Sequence, residues 1–141
     1  MNRTDLQTLA EERLTDARAL FASGRFSAAY YLAGYAIECA LKACIEKRTK
    51  AEDFPIKDSA RTVYIHDLAK LAQAAEVKVA IEQLAKHDKA FGLNWAFVAE
   101  WSEESRYNPV DQEWDKLMAE VMLDAVNNPQ HGVLQCLKQY W

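Results

Sequence analysis

Between Ala28 and Lys47 the chain is aromatic, aliphatic or small at nearly every position, yet Glu38 and Lys42 stand in the middle of it. A carboxylate four residues before an ammonium is the favourable order for a helical ion pair, which is worth only about 0.2–0.5 kcal/mol when exposed. In a half-buried setting each charge needs a partner, because one left alone costs roughly a few kcal/mol; Arg106 is a candidate for the glutamate. At about 100° per residue, Tyr31, Gly34, Tyr35, Glu38, Lys42, Ile45, Glu46 and Thr49 fall along one stripe of a helix. The stripe allows two readings. It is either a solvated pair on the one wet face, or the lining of a cleft or subunit contact in which Gly34 permits close backbone approach.

Other residue types that carry chemistry are sparse. Of the three histidines, His66 reads as a helix-entry residue, and His87 and His131 suggest no role. Trp95, Trp101, Trp114 and Trp141 recur in helical contexts and read as core or interface anchors before base-stacking platforms. Cys39, Cys44 and Cys136 are odd in number and form no CxxC pair, so they read as reduced, buried small hydrophobes rather than disulfide or zinc ligands. No Gly-rich phosphate loop or other cofactor signature is present, and no cofactor is expected.

The elements that must position these groups are helical. Thr4 followed by Gln7 resembles a capping box, and Leu6, Leu9, Ala10, Leu14, Ala17, Leu20 and Phe21 keep helical spacing until Gly24. The second helix is expected from a Ser27 cap to about Arg48, and the short link makes the two an antiparallel hairpin. On this second helix Leu32, Ala33, Ala36, Ile37, Ala40, Leu41 and Ala43 occupy the faces outside the polar stripe, so the helix is central and only the Glu38/Lys42 stripe is left for water, a groove or another subunit. Residues 49–65, "TKAEDFPIKDSARTVYI", lack a sustained period and read as a surface loop. A third helix is expected from about His66, and a fourth follows with a break near Gly92. Asn108–Pro109 and Asn128–Pro129 read as caps of the fifth and sixth. The expected architecture is a single all-α up-and-down bundle of five to six helices, residues 1–141 forming one domain.

Composition narrows the functional classes. The 141 residues are half hydrophobic and about a quarter charged, with four Gly and three Pro, the balance of a helical globule. No charged-then-apolar leader opens the chain, and the longest apolar run, Ala28 to Ile37, is too short to span a bilayer, so a cytoplasmic protein without a membrane role is expected. The net charge of −4 is uneven: residues 1–66 hold ten Lys/Arg against nine Asp/Glu, and 67–141 hold seven against twelve. That does not indicate a generic polyanion-binding surface, and the cluster of Lys47, Arg48 and Lys50 reads as a solvated helix end whose cations offset the helix dipole, ahead of a local basic patch.

Three blocks in order, "LAEERLTDARALFASGRFSAAYYLAGYAIECALKACI" at 9–45, "HDLAKL" at 66–71 and "SRYN" at 105–108, resemble the HEPN domain family. The resemblance covers most of the chain. It implies a bundle of about five helices that homodimerises, a theme of nucleotide or RNA binding, and pairing with a nucleotidyltransferase-type partner in a two-component, toxin–antitoxin-like system. Tyr31, Gly34, Tyr35, Glu38, Lys42, Arg106, Tyr107 and Asn108 become the site candidates. Arg106 would pair with Glu38 or contact phosphate, Lys42 would contact phosphate or the glutamate, and Tyr35 would shape the cleft. In the family's ribonuclease branch, an Arg followed after four to six residues by His cleaves RNA across a dimer interface without metal. The His moves protons and the Arg steadies the phosphorane charge. Arg106 matches the first position, but the following residues are Val110, Asp111, Gln112 and Glu113, so the histidine is missing. With an ordinary pKa near 4, Asp111 is a poor acid at neutral pH. A binding module is therefore expected ahead of a ribonuclease using Arg106 with a non-standard proton-transfer residue such as Asp111 or His131. A purely structural helical protein is the third alternative.

Overall fold

The computed structural model describes residues 1–51 and 65–141, and every regular element among them is helical. Asn2 opens α1 (Arg3–Ala22): its side chain accepts the Asp5 N–H at 2.9 Å while the Asp5 carboxylate accepts the Asn2 N–H at 3.0 Å. The capping box thus sits two residues before the expected Thr4/Gln7 pair, since Asn is at least as strong a cap as Thr. Leu6, Ala10, Leu14 and Ala17 form the buried face. Gly24, in the left-handed region at φ +76°, turns the chain. Helix α2 (Phe26–Ala51) begins one residue before Ser27, which lies inside the helix rather than capping it.

Helix α2 is the centre of the fold. It packs along α1 and also touches four later elements, and Ala33, Ala36, Ile37, Ala40 and Leu41 are fully buried. Alanines at these positions let neighbouring helices approach the axis closely. Residues 49–51 continue α2 where a loop is expected from 49 to 65; residues 52–64 of that stretch lie outside the described ones.

After Asp67, whose carboxylate caps the Lys70 N–H at 3.0 Å, come α3 (Leu68–Ala74), α4 (Lys78–His87) and α5 (Lys89–Ala99). The expected fourth helix is divided at Asp88 rather than near Gly92, because the Asp88 carboxylate turns back to accept the Phe91 N–H and starts a new helix. A 3₁₀ turn, η1 (Glu103–Tyr107), leads to α6 (Gln112–Asn127) and α7 (Val133–Leu137). The described residues hold seven α-helices, one or two more than expected, and the architecture is the helical bundle that the sequence suggests.

The two Asn-Pro caps are not realised. Asn108 is extended (ψ 144°) and ends η1, while Asp111 caps α6 by accepting the Trp114 N–H at 3.2 Å. Asn128 ends α6 and accepts the Gln130 and His131 N–H groups, leaving Gly132 to precede α7. The α7 segment buries Val133, Leu134, Cys136 and Leu137, so it does pack back on the bundle. All three cysteines are buried and unbridged; burial pushes the Cys39 thiol up to about 11 and the Cys44 thiol up to about 12. Among the described residues no helix is long and apolar enough to cross a membrane.

Candidate functional site

Glu38 is 1% exposed, the one charged residue in the buried core among the described residues. Its Oε1 receives two partners, Lys42 Nζ at 2.7 Å from one turn along α2 and His66 Nδ1 at 2.9 Å from the entry to α3. The second oxygen, Oε2, is buried and has no hydrogen-bond partner among the described residues. The other ring nitrogen of His66, Nε2, faces Glu103 Oε2 at 3.2 Å. A neutral imidazole has one N–H and serves only one of the two carboxylates; the imidazolium donates to both. His66 thus ties α2 to η1 through two acidic groups that the backbone brings in from 28 and 37 residues away.

This bears on one of the two readings of the stripe and redirects Arg106. The Glu38 end of the stripe is not a wet face, since it closes under His66. Arg106 is not the partner of the glutamate. Its Nη1 instead donates to the Tyr31 hydroxyl at 3.3 Å, and its guanidinium lies 4.8 Å from the Tyr107 ring centroid. Those two contacts favour the charged guanidinium and push its pKa higher still, the Tyr31 bond first. The Arg106 side of η1 therefore meets the Tyr31 end of the stripe, three residues after Glu103 meets its Glu38 end through His66.

The corner is held by aromatic packing. Tyr31 lies 5.7 Å from Trp101 and stacks on Tyr35 at 6.3 Å. Trp101 is buried against Gly34, where a Cβ would overlap the indole, so the glycine does permit a close approach, by a side chain rather than a backbone. Burial, then the neighbouring Cys39 and Glu38, raise the Tyr35 phenol to about 12, which keeps it a neutral hydroxyl. Tyr107 and Asn108 are exposed beyond this corner, and Lys42 is mostly buried beside Glu38.

The structure thus sets Tyr31 and Gly34 against Trp101, Tyr35 and Arg106 against Tyr31, and Glu38 and Lys42 in the His66 network, and it leaves Tyr107 and Asn108 exposed. Asp111 is occupied as a helix cap, and Asp88 Oδ2 accepts from His131 Nδ1 at 2.6 Å. Among the described residues, no group of three or more His, Cys, Asp or Glu could hold a metal ion.

Sequence reasoning missed three features. The His66–Glu103 contact and the seating of the Trp101 indole on Gly34 had no local signal, although Trp101 is an expected anchor and is buried in the core. The third was legible: Tyr107, Val110, Trp114, Leu117 and Val121 recur every three or four residues and are all exposed, Trp114 at 59%. Trp114, Leu117 and Val121 form a stripe on α6 that is turned outward, and Tyr107 and Val110 are exposed on the segment that leads into it. Trp95 and Trp141 pack partly buried against the core as anchors, whereas Trp114 lies on the surface.

A protein-family model described as "HEPN domain" matches residues 5–128. Curated proteins and solved structures yield no match.

Proposed function

The chain belongs to the HEPN domain family, and from that premise we propose that it is a homodimeric module that binds a nucleotide or RNA at the Arg106 corner. In this reading it works beside a nucleotidyltransferase-type partner as one half of a two-component system, inside the cytoplasm. The observation that carries it is adjacency: the exposed guanidinium of Arg106 sits next to Tyr107, where the outward apolar strip begins and runs onto α6. Among the described residues no carboxylate stands within ion-pair distance of Arg106, so its charge is available to an anion. A second copy seated on the strip would cover Trp114, Leu117 and Val121 and bring two such corners close together. The Glu38–Lys42 pair supports η1 from below in this reading and does not touch the ligand.

Titration of the protein with AMP, ATP and a short single-stranded RNA, followed by tryptophan fluorescence, tests the ligand. Saturable binding that Arg106→Ala abolishes is expected; binding indifferent to that substitution contradicts the reading.

One observation favours a nuclease as the alternative. His66, the only histidine in contact with η1 among the described residues, reaches the same 3₁₀ turn that carries Arg106. Metal-free RNA cleavage lost in both Arg106→Ala and His66→Ala would establish that alternative. The binding module predicts no cleavage by the wild-type protein.

A further inference from the structure

We propose that Arg25, at the turn between α1 and α2, is a second phosphate-binding guanidinium that faces Arg106 across one cleft and takes a phosphoryl group of the nucleotide or RNA. The inference rests on the ligand reading above and adds to it a residue on a different element.

The cleft has a volume of about 320 Å³ and lies between the α1–α2 turn, the RYN corner and the start of α6. Gly24, Arg25, Phe26, Tyr31, Arg106 and Asp115 are among its walls. Ligand pockets range over roughly 300–1,000 Å³, so this one accommodates a nucleotide-sized part of a ligand and not a folded strand. Its shape is fixed from both sides. Gln112 Nε2 donates to the Gly24 carbonyl at 3.4 Å, joining the start of α6 to the turn, and Tyr31 is packed between Tyr35 and Trp101.

Charge decides what such a cleft receives. Two guanidiniums face one carboxylate, Asp115, and that carboxylate already accepts the Asp111 N–H at 3.0 Å. Among the described residues neither Arg25 nor Arg106 has an ion-pair partner. The first turn of α2 adds to the same field: its backbone bonding begins with the Ala29 N–H to the Arg25 carbonyl at 3.0 Å, so the three N–H groups before it lie beyond the intrahelical ladder. Guanidiniums bind phosphate through parallel N–H···O bonds, and two of them on separate elements grip one phosphoryl group from different directions. The Phe26 and Tyr31 rings supply apolar wall beside that position.

A terminal monoester and a backbone diester share this chemistry, so calorimetric titrations with inorganic phosphate, AMP and a short single-stranded RNA separate the sources. Arg25→Gln is compared with Arg106→Gln and with Arg18→Gln, an exposed arginine of α1 outside the cleft. We expect Arg25→Gln to weaken binding roughly ten-fold, the effect of one charge-assisted contact. It should also reduce the slope of log affinity against log salt for RNA by about 0.7. Arg18→Gln should leave both unchanged. Phosphate and AMP sharing the Arg25 dependence identify a terminal phosphate; dependence seen with RNA alone identifies an internal one. If Arg106→Gln weakens binding and Arg25→Gln behaves like Arg18→Gln, the inference is overturned and the ligand reading stands. Wild-type protein that binds none of the three overturns both.

Discussion

At the scale of single residues, Glu38 shows what a buried charge demands. Its polar stripe is visible in the sequence as an interruption of an apolar helix, and so is the i,i+4 lysine. Its other partner is not. His66 and Arg106 are both remote in sequence, and nothing in composition or spacing chooses between them; the packing of α3 and η1 on α2 puts the imidazole at the carboxylate and the guanidinium at the Tyr31 hydroxyl. Removing one member of a buried pair strands the other, typically at about 3–5 kcal/mol. Glu38→Ala is therefore expected to destabilise the fold by roughly 3 kcal/mol or more in urea unfolding, the half-exposure of His66 favouring the low end. His66→Gln should cost clearly less than Glu38→Ala. A Glu38→Ala variant within about 0.5 kcal/mol of wild type, the ordinary range of a surface substitution, would show that the pair is solvated after all.

At the scale of elements, helices were easier to find than their ends. The apolar periodicity of α1 and α2 and the glycine between them leave little freedom. The Asn-Pro steps misled because the residue before proline is driven to extended backbone whether or not a helix follows. Here Asn108 and Asp111 are both extended, and the α6 cap passes to Asp111. Asp88 acts as a cap with a second duty. Its carboxyl is held below the usual carboxylate range by the Phe91 N–H first and by His131 next. A depressed folded-state pKa means stability that is present above the unfolded value near 3.9 and is lost as pH falls through the folded value. Asp88→Asn keeps the capping oxygen but removes the titration. It should therefore show a flatter fall in stability below about pH 4 than wild type in acid-unfolding curves. Superimposable acid limbs would remove Asp88 from the account.

At the scale of the whole molecule, the core explains most of the apolar sequence and leaves one part unexplained. Five of the large hydrophobics that remain exposed, Tyr107, Val110, Trp114, Leu117 and Val121, follow one another along the RYN corner and α6. Scattered exposed hydrophobics are ordinary, whereas three large ones on one helix face, with two more on the segment leading into it, suit a contact surface. The spacing of Trp114, Leu117 and Val121 is helical, but which side of the bundle they face depends on how α6 lies against α2, a long-range property that local spacing does not encode. The account turns on that strip joining two copies and setting their Arg106 corners side by side. The most direct measurement is the solution mass by light scattering coupled to size exclusion, for wild type and for Trp114→Asp. The chain mass is 16.1 kDa. A wild-type particle of two chains that becomes one chain in Trp114→Asp, with helical circular dichroism retained, is the predicted result. A wild-type monomer at micromolar concentration, or a dimer that survives a buried aspartate at position 114, would contradict it.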